Sequence, residues 1–220
     1  MKLESGWVPV ALSMSIEPGT SAGAVVEGVE VVVWRDVSGK AHVWEDRCPH
    51  RGMRMSFGFV RGDHIACLYH GWQYDTAGQC RHIPAHPDLE VPETIKVPTY
   101  KATEHFGVIW ATSGEGSMPP VALEASSVTP VRSLYVDAPM TDVIAALQPA
   151  QFNSIGDACG TITVEGVTLL AALQVAGPNR SAIHIVALAG LAPAALKTLA
   201  AWMENLRLRI EAPTLVAEVA

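Results

Sequence analysis

The stretch CPHRGMRMSFGFVRGDHIACLYHGW, residues 48–72, decides how this chain is read. It holds Cys48-Pro49-His50 and Cys67-Leu68-Tyr69-His70, two ligand pairs separated by sixteen residues. Thiolates and neutral imidazoles together suit zinc or an iron–sulfur cluster. One arrangement is a structural zinc site of two cysteines and two histidines. The other is a [2Fe–2S] centre in which two cysteines hold one iron and two histidines the other. Spacing alone leaves both open. Each pair is followed by a glycine, Gly52 or Gly71. Glycine lets the backbone approach bridging sulfides and aim amide N–H groups at them, which a tetrahedral zinc site needs less.

Outward from this stretch, the first 115 residues read as β structure. Segments such as GAVVEG, VEVVVWRD and AHVWED are short, rich in valine and tryptophan, and broken by turn signals such as Ser38-Gly39. Arg61-Gly62-Asp63 and Thr76-Ala77-Gly78 read as hairpin turns, and VPTYKATEHFGVIWAT supplies a closing pair of strands. Short strands at this spacing predict an all-β antiparallel sandwich or small barrel over residues 1–115. A polar stretch with Pro119-Pro120 then reads as a linker over 116–130.

Composition changes across it. Residues 121–220 hold 21 alanines against nine before them, and one histidine of the eight, so a second domain is assigned to 131–220. Its pattern is strand (VRSLYVDA), short helix (DVIAAL, stopped near Pro149), strands (TITVEGVTLLAALQV, SAIHIVALA) and a long terminal helix. Pro193 suits that helix's first turn. Leu196, Leu199, Ala200, Met203, Leu206 and Ile210 recur at helical spacing as a core stripe, and Pro213 is expected to end it. This second part is a small α+β domain.

No apolar run is long enough to span a bilayer, and MKLESGWVPV lacks the marks of a signal peptide, so a cytoplasmic location without membrane contact is expected. A net charge of -7 with no basic run argues against a nucleic-acid partner. Four cysteines, Cys48, Cys67, Cys80 and Cys159, allow two disulfides by count, but in a reducing compartment cysteine and histidine in pairs read as a metal site.

CPHRG followed by CLYHGWQYD resembles the pattern of the bacterial Rieske non-haem iron oxygenases, and VVVWRDVSGK, GQCRHIPA and HFGVIW agree with it. The resemblance implies a Rieske [2Fe–2S] cluster on Cys48, His50, Cys67 and His70. With two ferric ions, two sulfides, two thiolates and two neutral imidazoles the cluster is neutral, so reduction is easier than for an all-cysteine cluster. Rieske potentials accordingly span about −150 to +300 mV. Respiratory Rieske proteins carry an extra disulfide-forming cysteine in each loop. The matching positions here are Met53 and Tyr69, and a cluster-bonding serine of that type is replaced by Trp72. Fewer hydrogen bonds to sulfur place the expected potential toward the low end.

The neighbours have ordinary readings too. Trp72 reads as packing under the loop rather than a redox gate. Tyr74 is either a donor to a ligand cysteine, as the family often shows, or a plain hairpin tyrosine. Arg51 and Arg54 read as surface arginines or as contacts for an acidic redox partner. Cys80, His82 and His86 read as a loop rather than a second metal site, and His42, His64 and His105 as surface or sheet residues.

In the resembled oxygenases the electron passes to a mononuclear iron held by two histidines and a carboxylate in a larger C-terminal domain. Here the one histidine after residue 120 is His184, which alternation in SAIHIVALA makes a sheet residue. The second part resembles only a truncated helix-grip catalytic domain, through EGVTLLAALQ and WMENLRLRIE, so no mononuclear iron is expected. Three functions follow. The chain is an electron-transfer protein served by a flavin reductase or ferredoxin. Or it is a component of a multi-subunit oxygenase whose iron sits on another subunit. Or it is a non-redox scaffold or iron-sensing regulator. The resemblance also implies a homo-oligomer, a trimer in the family.

Overall fold

Short β-branched segments closed by glycine turns build the first half. In the computed structural model, which describes residues 6–114, 121 and 123–217, β1 (Val8–Leu12), β2 (Ser21–Val26), β3 (Val29–Arg35) and β4 (Ala41–Glu45) come first. Four short strands follow as an excursion: β5 (Phe59–Arg61), β6 (His64–Ala66), β7 (Gln73–Asp75) and β8 (Cys80–His82). Then β9 (Thr99–His105) and β10 (Val108–Thr112) rejoin the first sheet, whose antiparallel order is β1-β10-β9-β4-β3-β2. β5 to β8 form their own sheet in sequence order.

The run VEVVVWR in β3 is buried on both faces, which is why it reads as unbroken hydrophobicity. Val31 and Val33 point inward with Val10, Val43 and Ile109 to fill the nearly closed sheet. Val32 and Trp34 point outward, with Trp44, into a second core shared with Met55, Ile65, Tyr74 and Val97. That second core fastens the excursion to the large sheet. The expected turns fall between paired strands, with Gly39, Gly62 and Gly78 at positive φ. At Gly78 (φ +78°) a Cβ would sit 2.4 Å from the Val97 carbonyl oxygen, so only glycine fits.

The second half holds β11 (Thr129–Val136), α1 (Met140–Leu147), β12 (Asn153–Gly156), β13 (Cys159–Val164), β14 (Val167–Gly177), β15 (Arg180–Ala187) and α2 (Pro193–Ala217). The strands form one antiparallel sheet, ordered β11-β15-β14-β13-β12. Leu199, Met203, Leu206 and Ile210 of α2 are buried against it as the spacing predicts, with Val143 and Leu147 of α1. The short edge strand β12 carries no sequence signal of its own. Pro213 does not end α2, which runs on to Ala217. Proline's fixed φ is itself helical, so the helix continues past it at the cost of one backbone hydrogen bond. Residues 116–120 and 122 of the expected linker, with Pro119-Pro120, lie outside the described residues; β11 already begins at Thr129, inside the span assigned to it.

The two halves pack directly. Leu12, Val108 and Trp110 share a core with Leu170, Ala172 and Val186. The β2–β3 turn, Glu27-Gly28, has positive φ at both residues and donates its backbone N–H groups to the carbonyls of Val175 and Ala176 at 2.6 and 3.1 Å. Beside it, Gln174 Nε2 donates to the Val25 carbonyl at 2.9 Å.

Candidate metal centre

Loops 48–53 and 67–72 are built alike from the backbone up. Cys48 N–H donates to the Met53 carbonyl and Gly52 N–H to the Cys48 carbonyl, both at 2.8 Å. Cys67 N–H donates to the Trp72 carbonyl and Gly71 N–H to the Cys67 carbonyl, both at 2.9 Å. The glycines take φ +71° and +70°, the left-handed region that closes each loop. Asp46 pins the base of the first loop by accepting from Ser56 N–H at 2.7 Å and Ser56 Oγ at 2.6 Å. The second loop is the β6–β7 connection itself.

These closures turn both cysteines inward and both histidines outward. Cys48 and Cys67 are buried and unoxidised, in one apolar core with Tyr74 and Cys80. Their sulfurs lie within hydrogen-bonding reach of each other. Backbone N–H groups of His50 and Arg51 point at Cys48 Sγ, and those of Tyr69 and His70 at Cys67 Sγ. The Cys67 thiol and the donated hydrogen bonds hold Cys48 down at about 5 against the opposing pull of burial, while Cys67 is pushed up by Cys48 and by burial.

The imidazoles of His50 and His70 face each other at 4.6 Å between ring centroids. Each has an aromatic partner. Trp72 stacks on His50 at 4.2 Å and 5°, and Tyr69 on His70 at 4.0 Å and 28°. Trp72 therefore reaches across from the second loop to wedge the histidine of the first. Tyr74, fully buried, places its hydroxyl 3.1 Å from Cys48 Sγ. Of its two readings, the sulfur-bonding one matches this geometry. Tyr69, Leu68 and His70 are exposed, so the imidazole end meets solvent.

This donor set fits a two-iron cluster. A zinc site would gather four ligands around one ion. The donors sort instead into a buried sulfur pair and an outer nitrogen pair, with amide dipoles aimed at the sulfurs. Such dipoles stabilise added negative charge.

The remaining histidines and cysteines lie apart from this geometry. Cys80 is buried, with its Sγ 3.8 Å from the His82 carbonyl oxygen, and His86 is exposed. His105 bonds the Val121 carbonyl at 3.0 Å. His42 takes the sheet reading rather than the surface one, in β4. It is buried against Trp34 and bonded to Asp36, a pairing the sequence reading missed because Asp36 sits across the β3–β4 turn. Arg54 pairs with Glu30, as does Arg47 at 3.5 Å, and Arg51 forms no ion pair among the described residues.

His184 is fully buried. Its Nδ1 lies 2.7 Å from Ser133 Oγ, and its Nε2 2.7 Å from Gln174 Oε1. Burial lowers its pKa to about 4. An unfolded histidine takes a proton near pH 6.5 and this one does not, so stability is full at neutral pH and declines as pH falls from about 6.5 toward 4. Urea unfolding should show about 2 kcal/mol lost through this group between about pH 7.5 and pH 5. The His184→Asn protein should lack that component.

Comparison with known proteins agrees with the site. The family model of the Rieske [2Fe-2S] domain matches residues 6–101. Residues 6–101 are thus a Rieske [2Fe–2S] domain with a Rieske cluster as its cofactor, and the chain is similar to Rieske oxygenase components. Oxidoreductase NdmD of Pseudomonas putida is 33% identical over 175 residues, covering 76% of this chain and 30% of that protein. Among solved structures, NdmA of Pseudomonas putida CBB5 has a TM-score of 0.74 at 17% identity, covering 95% of this chain and 80% of that one. Apo dicamba monooxygenase has a TM-score of 0.75 at 16% identity, covering 94% and 84%. At these identities the structures speak for the fold alone. The chain spans about a third or less of the curated relatives it matches.

Proposed function

We propose that this chain is an electron-transfer protein that takes single electrons from a flavin reductase or ferredoxin and passes them on. In this reading Cys48 and Cys67 hold one iron, His50 and His70 hold the other, and no mononuclear iron site is built into the chain. When bound, the cluster accepts and releases one electron without substrate chemistry. Tyr74 donates its O–H to Cys48 Sγ, and the four loop amides face the sulfurs. Trp72 and Tyr69 hold the imidazoles at the exposed end, where a redox partner approaches. A cytoplasmic setting keeps the four cysteines free of disulfides, and a homo-oligomer is the assembly this reading carries with it. Among the described residues no helix is long and apolar enough to cross a membrane.

The observation that carries the reading is the filling of the second half. The sheet face under α2 is closed by Leu134, Ile162, Leu173, Ile183 and Ile185 with the helix residues, all apolar. His184 points to the other face, and both its nitrogens are engaged. The match to NdmD also covers more of the chain than the Rieske domain can supply, so it runs into this second half. A second reading, a component of a multi-subunit oxygenase whose iron lies on another subunit, draws support from the fold shared with NdmA and dicamba monooxygenase.

Iron and acid-labile sulfide per chain test the proposal. Two of each are expected, unchanged in the His184→Ala protein. A third iron without extra sulfide, lost in that variant, would sink it. Copurification of an iron-bearing subunit would favour the second reading.

A further inference from the structure

In the ligand arrangement proposed above, Trp72 meets a ligand of each iron. Its backbone carbonyl accepts from Cys67 N–H at 2.9 Å and so closes the second loop around that cysteine. Its indole crosses to the first loop and lies flat on the His50 imidazole, 4.2 Å between ring centroids and 5° from parallel. The indole is half-buried and packs against the core that holds Cys48, Cys67 and Tyr74. The face it offers to His50 is therefore backed by fixed structure.

The other imidazole is held differently. Tyr69 is the chain neighbour of His70, is 57% exposed, and stacks at 4.0 Å with a tilt of 28°. A ring on the same loop moves with that loop. Trp72 instead fixes a side chain of one loop against the backbone of the other.

A flat stack of this kind acts in two ways. It orients the imidazole, and groups that orient a metal ligand strengthen its hold on the metal. It also acts on charge. An imidazole whose lone pair is given to iron carries part of the positive charge of the metal, and the indole face is the electron-rich side of its quadrupole. That attraction is larger with the cluster oxidised than with it reduced, because reduction removes positive charge. The stack therefore opposes reduction, whereas a hydrogen bond donated to sulfur favours it.

We propose that Trp72 is a positioning residue for the cluster, which holds His50 on its iron and lowers the reduction potential through the ring stack. The proposal rests on the reading of His50 as an iron ligand.

Spectroelectrochemical titration and iron release to excess EDTA test it on the cluster-loaded full chain. The unmodified protein is compared with Trp72→Phe, Trp72→Leu and Tyr69→Leu. Trp72→Leu should purify with iron and sulfide, lose iron faster to the chelator, and have a higher potential. A threefold change in the one-electron equilibrium is expected, the scale of a partly exposed contact between a cation and a ring, or about 28 mV. Trp72→Phe keeps an aromatic face and should lie between the two in both measurements; it decides the matter alone if the leucine protein does not load. Tyr69→Leu should shift the potential less, because its ring is tilted and wet. An unchanged or lower potential in the Trp72 variants, a phenylalanine protein no different from the leucine one, or an equal shift in Tyr69→Leu overturns the proposal. His50→Ala tests the reading beneath it. Two irons retained there would remove His50 from the ligand set, whereas silent Trp72 variants beside an iron-depleted His50→Ala protein would sink the present proposal alone.

Discussion

The Cys67→Ser protein is expected to be colourless, with iron falling from two per chain to nearly none. Cys67 is buried, receives two backbone N–H groups from its own loop and faces Cys48. A serine oxygen is shorter and harder than a thiolate, reaches less far and is a poor ligand for an iron–sulfur centre. The loop's own closure, through Trp72 and Gly71, survives the change. Loss of metal therefore does not require loss of the loop. It does remove the tie between the two loops, because metal binding energy is also folding energy for the residues it joins. Backbone amides of residues 48–53 and 67–72 should exchange faster with solvent, while β3 and β4 beneath stay protected. Iron analysis and hydrogen exchange on the same sample check both statements. Retention of two irons would remove Cys67 from the ligand set.

Replacing Tyr74 with phenylalanine should leave the cluster in place and lower its reduction potential by about 60 mV. The phenol is fully buried and 3.1 Å from Cys48 Sγ. Burial and the neighbouring Cys48 sulfur push its pKa up, so the hydroxyl stays protonated and donates. Reduction adds negative charge beside that donor. The bond therefore strengthens in the reduced state and favours taking the electron. A hydrogen bond to a charged group contributes roughly 1.5 kcal/mol, and for one electron about 59 mV corresponds to a tenfold change in equilibrium. Phenylalanine keeps the ring packed with Ile65 and Trp44, so thermal stability should change little. A spectroelectrochemical titration of both proteins gives the shift directly. An unchanged or higher potential would mean that the hydroxyl does not act on the cluster.

Much of the candidate metal centre was legible before any fold was known. Cys48, His50, Cys67 and His70 lie in two pieces of chain a few residues long, and Gly52 and Gly71 announce the backbone conformation that closes each piece. The hairpin turns at Gly62 and Gly78 were legible for the same reason, since a positive φ is a local property of glycine. The α2 stripe was readable because Leu199, Met203, Leu206 and Ile210 repeat with the period of the helix. Pro213 misled, because a local helix breaker was weighed without the helix that carries on past it.

What the chain determines by itself is therefore the set of short-range patterns: ligand pairs with their glycines, alternating strands, one periodic helix and a change of composition after residue 120. Only the tertiary structure decided which distant groups meet. It brought Tyr74 to the sulfur of Cys48, Trp72 of one loop onto His50 of the other, and Asp36 behind His42. It also set Gln174 between His184 and the Val25 carbonyl. Backbone propensity and spacing act over a few residues, where the peptide's own geometry limits the choices. Contacts between residues far apart are chosen by how whole sheets bury their faces, and no single segment carries that information.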